Sequence, residues 1–144
     1  MTQRPSTYTP ELAARICARI ARGQSVRAAA RTATMPASAT IYLWLQQHED
    51  FRVLYAAACE ECADALVEEM LAIADDAARD QKAGGKDRQD RIPDREALAR
   101  AKLRIETRRW RAAKLAPRKY GDKADAAAAG PAQISHEEAL ALLD

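Results

Sequence analysis

The sequence contains few aromatic residues and few glycines. Aromatics make up 5% of the 144 residues, Phe51 is the only phenylalanine, and there are five glycines. Sheets favour β-branched and aromatic side chains, and the tight turns between strands need glycine. The apolar residues of this chain are mainly alanine, leucine and isoleucine, which suit closely packed helices. We therefore predict an all-α fold.

Long hydrophobic runs and a paired set of cysteines are also missing. No apolar run reaches the roughly 18–20 residues that a membrane span requires, and no charged-then-apolar leader opens the chain. The three cysteines are an odd number, so a disulfide framework is not expected. We expect a soluble intracellular protein without a membrane partner.

The motifs of enzymes and metal sites are absent from the sequence as well. His48 and His136 have no Asp/Ser or Cys arrangement of the kind that forms a catalytic triad. The glycine pair at 84–85 lacks the flanking residues of a phosphate-binding loop. The acids at 75–76 are typical of a solvated helix end, and the cysteines within 59–62 have no second ligand pair. We expect a protein without enzymatic activity, catalytic residues, metal or cofactor.

Charge is segregated along the chain, although the net charge is only +2. The net charge is +5 for residues 1–48, −8 for residues 49–80, +9 for residues 81–123 and −4 for residues 124–144. Such blocks indicate a basic surface for a polyanion and docking between oppositely charged segments or subunits. The alternative is that they are simply solvated helix faces.

The first 48 residues predict a loose tail followed by three helices. The tail covers residues 1–9, where Thr-Pro-Glu at 9–11 is typical of a helix start and Gly23 of a helix end. A second helix is predicted from a serine cap at 25 to about residue 32, and a third from about 38 to 48. A tight connection between these two gives the shape of a helix-turn-helix.

A helix-turn-helix places its second helix in the major groove of DNA, with the N-terminal residues of that helix toward the bases. Polar residues of the third helix are therefore candidates for base contacts: Ser38, Thr40, Tyr42, Gln46 and Gln47. Arginines of the first two helices are candidates for phosphate contacts: Arg15, Arg19, Arg22, Arg27 and Arg31. The alternative is that the third helix only supplies Ile41, Trp44 and Leu45 to the core of a helical bundle.

A long helix is predicted from about Asp50 to Arg79, which would measure about 45 Å. It carries apolar residues on two faces, which so small a chain cannot bury alone. Residues 80–94 are predicted to be a linker, and a fifth helix over 94–116, stopped by Pro117, should pair antiparallel with the long one. We predict a closed homo-oligomer of more than two subunits. The candidate oligomerisation residues are Phe51, Leu54, Tyr55, Leu66, Val67, Met70, Leu71, Ile73, Leu98, Ile105 and Trp110.

The C-terminal segment predicts a tether and a short helix. Residues 124–133 are rich in alanine, with glycine and proline, and Ser135 with Glu138 forms a capping box before a short acidic helix. A helix this short is not stable alone, so we expect it to fold against a partner. The alternative is a solubilising tail, or a helix that packs back on its own ring. The chain thus divides into a DNA-binding head (1–48), a helical oligomerisation domain (49–123) and a flexible tail (124–144).

Two separated motifs resemble the small-subunit terminase family of short-tailed and related double-stranded DNA phages. They are MPASATIYLWL at 35–45 and RAKLRIETRRWRAAKLAPRKYGDK at 100–123, and the resemblance covers about residues 10–123. It implies a head that binds double-stranded DNA at the packaging site, a ring-forming helix pair, and a C-terminal region for the large subunit, whose ATPase and nuclease it regulates. It also implies a location in the cytoplasm of the host bacterium. One departure is that residues 37–47 contain no Lys or Arg, so arginines elsewhere or several heads together would supply the affinity.

Two other functions remain open on the sequence alone. One is a helix-turn-helix transcriptional regulator with a helical dimerisation arm, which a two-fold dimer would distinguish from a ring. The other is an adaptor that binds only protein, which a loss of every DNA interaction at low salt would favour.

Overall fold

The computed structural model describes residues 4–84 and 90–128, and most of them are helical. The elements in chain order are α1 (Pro10–Ala21), α2 (Val26–Ala29), α3 (Ser38–Gln47), α4 (Glu49–Asp75), a 3-10 turn (Ala77–Arg79), β1 (Gln81–Ala83), β2 (Arg91–Pro93), α5 (Arg95–Leu115), α6 (Pro117–Tyr120) and α7 (Lys123–Ala128). Within these ranges no helix has the length and apolar character needed to cross a membrane.

Helix α1 begins and ends where the sequence predicts. The Thr9 hydroxyl oxygen accepts a hydrogen bond from the Leu12 amide at 3.2 Å, and Pro10 occupies the first turn, where no amide is needed. Gly23 follows the helix with a φ of +92°, a conformation in which a Cβ would be strained. The predicted signals at both ends are therefore confirmed.

Helix α2 is shorter than predicted, and the predicted tight connection to α3 is wrong. Ser25 caps α2 as expected, accepting from the Ala28 amide at 3.1 Å, but the helix ends at Ala29. Residues 30–37 then form an irregular connection in which Met35 and Pro36 are buried. The chain leaves the helix early because burying these two side chains turns it inward toward the core.

The hydrophobic core joins the head to both long helices. Its largest fully buried side chains come from α1, the α2–α3 region and the start of α4, and include Ile16, Ile20, Val26, Met35, Ile41 and Phe51. The C-terminal end of α5 adds Ala112 and Leu115, and the Arg111 guanidinium donates to the Gly23 carbonyl at 2.9 Å. The predicted boundary after residue 48 therefore coincides with the start of α4 but cuts through a continuous core.

Helices α4 and α5 form the predicted antiparallel pair. The Arg108 Nε atom lies 2.6 Å from Glu69 Oε2, and Asp94 caps α5 by accepting from the Ala97 amide at 3.2 Å. Helix α4 ends at Asp75 rather than Arg79, because the Asp76 side chain caps the 3-10 turn that follows.

The predicted all-α fold is confirmed, and the only departure within residues 4–84 and 90–128 is a small antiparallel sheet in the region predicted as a linker. Strands β1 and β2 pair with Lys82 opposite Ile92, and the Asp94 amide donates to the Asp80 carbonyl at 2.7 Å. Each strand has three residues and all six are exposed, so no alternation of apolar and polar residues marks them in the sequence.

The C-terminal tail is described only in part. Helix α7 reaches Ala128, so the predicted tether is helical over its first residues. The predicted capped helix after Ser135 lies outside the described residues.

Candidate nucleic-acid interface and assembly surfaces

Two arginines of α1 and the one that follows its last turn form one stripe but differ in exposure to solvent. At about 100° per residue, Arg15, Arg19 and Arg22 fall within a narrow arc of the helix. Arg15 and Arg22 are exposed, whereas Arg19 is half-buried and donates to the Ala29 carbonyl at 3.3 Å and to Thr32 Oγ1 at 2.8 Å. Arg19 therefore ties α1 to the end of α2.

The C-terminal end of α2 collects positive charge from three segments. Arg4, in the tail predicted to be loose, donates to the Ala30 carbonyl at 2.8 Å, and Arg19 binds the adjacent carbonyl. Arg27 and Arg31 are both exposed there. Cations are favourable at this end because the last carbonyls of a helix accept no hydrogen bond from a following turn of that helix. Sequence reasoning missed Arg4, since nothing in its neighbourhood marks it as docked.

The outer face of α3 is neutral. Gln46 and Gln47 are exposed near its C-terminal end. Leu43, one turn before Gln47, is also exposed, with 47% of its surface accessible. Of the other candidates on this helix, Ser38 and Thr40 are half-buried, and Tyr42 is partly buried against the core. The helix thus offers amide and apolar contacts to a partner and no positive charge.

The tail residue Tyr8 anchors the junction of α3 and α4. Its ring stacks on His48 at 3.7 Å and meets Trp44 edge-on at 5.4 Å, and its hydroxyl donates to Asp50 at 2.5 Å. Loss of hydration, together with the bond to Asp50, raises the pKa of Tyr8 to about 12. The part of the tail from residue 4 onward is therefore docked on the head, not loose.

The three cysteines lie in the core. Burial raises the pKa of Cys17 to about 11 and that of Cys59 to about 12, and it also raises the pKa of Cys62. Thiols held protonated in this way are poor nucleophiles and poor metal ligands. Among residues 4–84 and 90–128, no group of His, Cys, Asp and Glu side chains could hold a metal ion.

The predicted oligomerisation residues divide into three groups. Phe51 and Tyr55 are buried in the core, so we leave them out of the assembly surface proposed below. The second group is half-buried within the protomer and comprises Leu66, Val67, Met70, Ile73 and Ile105. The third group is exposed and comprises Leu54, Leu71, Leu98 and Trp110.

Leu103 and Val53 are also exposed apolar side chains, and sequence reasoning did not include them in a contact surface. Leu103 is 63% exposed and lies about two turns from Trp110 on the same side of α5, and Val53 is exposed near the start of α4. The spacing of seven residues between Leu103 and Trp110 was the signal that could have identified this stripe.

Opposite charges connect the two long helices, as the charge segregation predicts. Besides the Arg108–Glu69 bridge, Asp64 accepts hydrogen bonds from Lys119 at 2.6 Å and from the Tyr120 hydroxyl at 2.5 Å. These hydrogen bonds, that from Lys119 first, hold the pKa of Asp64 below its ordinary value. They fasten α6 to the middle of α4.

The chain is similar to a known family over most of its length. The model of the family described as "Bacteriophage Sf6, terminase small subunit-like" matches residues 8–127. Three crystal structures of single-residue variants of the terminase small subunit gp1 of the bacterial virus Sf6 match with a TM-score of 0.58 and 42% sequence identity, covering 83% of this chain and 85% of theirs. A comparison with curated proteins gave no significant match. The chain therefore belongs to the Sf6-like family of phage terminase small subunits.

Proposed function

We propose that this protein recognises viral DNA at the packaging site, assembles into a homo-oligomeric ring and regulates the ATPase and nuclease of the terminase large subunit during genome packaging. The observation that carries the proposal is the family match over residues 8–127, together with 42% identity to the terminase small subunit of Sf6. Its site of action would be the cytoplasm of the infected bacterium. Contact of residues 124–144 with the large subunit stays a prediction.

The arginines of the head support a contact with the phosphate backbone. Arg15, Arg22, Arg27 and Arg31 are exposed, and phosphate contacts supply most of the salt-dependent affinity of DNA-binding proteins. The neutral face of α3 supports only a limited reading of bases, through Gln46 and Gln47. A single head should therefore bind weakly, and several heads in one assembly would raise the affinity through their effective concentration.

Replacement of Arg27 and Arg31 by alanine tests the head as the DNA-binding surface. We expect weaker binding to duplexes of any sequence, measured by fluorescence anisotropy at about 50 mM salt. Each lost phosphate contact should also lower the slope of log affinity against log salt by about 0.9. Gln46→Ala should instead reduce the preference for one sequence, because glutamine contacts base edges.

A matched control removes the same two charges from α5, through Arg95→Ala and Arg100→Ala. Both side chains are exposed on the hairpin and lie outside the head. We expect this variant to keep the affinity and salt slope of the unchanged protein. Normal binding by the head variant, with loss of binding by the α5 variant, would place the DNA on α5 and contradict the proposal for the head.

A further inference from the structure

One side of α4 carries an exposed acidic face. Helix α4 has eight acidic residues and one basic residue, and most of the acids lie on the side turned away from α5. We define the acidic face as the exposed residues on that side that recur at helical spacing: Ala57, Glu61, Glu68, Leu71 and Asp75. Asp64 lies on the same side between Glu61 and Glu68, but it is half-buried and bound by α6. Leu71, at 62% exposure, is the large apolar side chain of this face.

The outer side of α5 carries the opposite charge. Helix α5 has eight basic and two acidic residues. We define the basic face as the exposed residues on the outer side of α5 and its flank: Ala99, Lys102, Leu103, Arg109 and Trp110. Leu103 and Trp110 point away from α4, whereas Lys102 and Arg109 also line a groove beside Ile73 and Ala74 of α4. Glu106 also lies on this side and is 4.0 Å from Lys102. Leu103 and Trp110 are more than 60% exposed, which is unfavourable for apolar side chains of this size without a partner.

The two faces lie on opposite sides of the helical hairpin, so within one chain they cannot meet. Neither Glu68 nor Arg109 has a salt bridge among the residues that the structure describes. A second copy could satisfy both faces, because the acidic face of one chain would meet the basic face of the next. Pairing of either face with itself would instead bring like charges together, which disfavours a two-fold dimer.

The register of this contact follows from the hairpin itself. The Arg108–Glu69 bridge places these residues at one level, and in an antiparallel pair each step forward along α5 corresponds to a step back along α4. Arg109 is therefore level with Glu68, and Leu71 is level with the midpoint between Leu103 and Trp110. Rotation about a ring axis moves each copy without shifting it along that axis. If the hairpins are parallel to the axis, residues at one height in one copy therefore lie at the same height in the next copy.

We propose that the acidic face of one copy binds the basic face of the next, with Glu68 opposite Arg109 and Leu71 between Leu103 and Trp110. In this contact apolar side chains meet apolar side chains, and acidic side chains meet basic ones, at the same heights along the hairpins. It rests on the proposed ring, and it commits the basic face of α5 to a second copy of the chain and not to DNA.

Charge reversal tests the pairing. Glu68→Arg and Arg109→Glu should each lower the assembled mass measured by light scattering and raise the half-assembly concentration by about tenfold or more, because like charges at an interface are costly. The double variant that carries both changes should regain the assembled mass, since each interface then again holds one acid and one base. Circular dichroism should show unchanged helix content in all three variants.

Two controls change the charge equally at exposed positions outside both faces, Arg118→Glu and Asp122→Arg. Both should assemble normally. A mixture of the two single variants should also assemble, because contacts between unlike chains restore opposite charges, whereas each variant alone fails.

The outcomes separate this inference from the proposed ring. An unchanged protein that is monomeric would contradict the ring and the contact together. An unchanged protein that assembles, with single variants of undiminished mass, would overturn only the contact described here. If the single variants are folded but lose assembly, and the double variant does not regain it, the pairing of Glu68 with Arg109 is also overturned. Single variants that keep their mass and lose DNA affinity would assign the basic face to DNA.

Discussion

The ring of Phe51 is fully buried at the start of α4, between aromatic neighbours from two segments. Its centroid lies 6.1 Å from that of Tyr8 and 6.4 Å from that of Tyr55. Phe51→Ala would leave a cavity in a core that both the head and the hairpin share. We expect the free energy of unfolding to fall by about 3–5 kcal/mol, measured by urea titration.

Val53 offers the matched control for this change, because it lies on the same turn of α4 and is exposed. Val53→Ala should alter the free energy of unfolding by no more than about 0.5 kcal/mol. Equal effects of the two substitutions would contradict the assignment of Phe51 to the core. A Phe51→Ala variant of unchanged stability that failed only to assemble would return Phe51 to the assembly surface.

Sequence signals predicted individual residues well where the interaction spans a single turn. The caps Thr9 and Ser25 and the terminator Gly23 act on neighbouring amides and carbonyls, so their roles can be read without knowing the fold. Phe51 and Leu54 looked equivalent in the sequence, since both are apolar positions of one helix. Only the docking of α1 and the end of α5 decides that Phe51 is buried and Leu54 is exposed.

At the scale of elements, Asp64 fastens α6 to α4. The hydrogen bond from Lys119 and that from Tyr120 lower the pKa of Asp64 below its ordinary value of 3.8. A carboxyl whose pKa is lower in the folded state stabilises that state above its ordinary pKa, and the contribution is lost as the pH falls through the folded value. As the pH falls below about 4, the folded state should therefore progressively lose this contribution.

Asp64→Asn removes this dependence. The melting temperature of the variant should be lower than that of the unchanged protein at about pH 6, and the difference should narrow as the pH is lowered toward about 2 and Asp64 becomes protonated. Asp90→Asn, at an exposed position before β2, should follow the unchanged protein throughout. A constant difference between Asp64→Asn and the unchanged protein across this range would contradict the role of the carboxylate.

The elements also show which parts of the fold were beyond sequence reasoning. The long amphipathic helices α4 and α5 carry a strong periodic signal, and their opposite charges predict that they pair. Strands β1 and β2 are short and exposed, so their pairing depends on backbone hydrogen bonds that no side-chain pattern reveals. The early end of α2 depends on the burial of Met35, a contact that the local sequence does not show.

At the scale of the whole molecule, the candidate DNA surface was predicted from the presence of arginines in the head, and their arrangement in space was not known. The exposed arginines of the head were identified because few other cations are available there. Sequence reasoning missed Arg4 and assigned Arg19 to phosphate contact, although both arginines bind carbonyls at the end of α2. These contacts join segments that are separated in the sequence. For assembly, the spacing of Leu103 and Trp110 was a usable sequence signal, and the structure adds that both side chains are exposed on the outer side of α5.

The two tryptophans allow assembly to be followed by fluorescence. Trp44 is 4% exposed and belongs to the core, whereas Trp110 is 64% exposed and lies on the basic face. In a Trp44→Phe variant, all tryptophan emission comes from Trp110. If a second copy covers Trp110, as the proposed contact requires, dilution below the half-assembly concentration should shift this emission to longer wavelength, because the indole becomes hydrated.

The reciprocal variant, Trp110→Phe, supplies the control, since its emission comes from Trp44 in the core and should not change on dilution. Replacement at either position keeps an aromatic ring, so the change in packing is small compared with truncation to alanine. Suppose that the emission of Trp110 is that of a hydrated indole at every concentration, while the mass of the protein still falls on dilution. Assembly would then leave the basic face of α5 open. The interface would then have to use the remaining exposed apolar residues, of which Leu54 and Leu98 lie outside both faces.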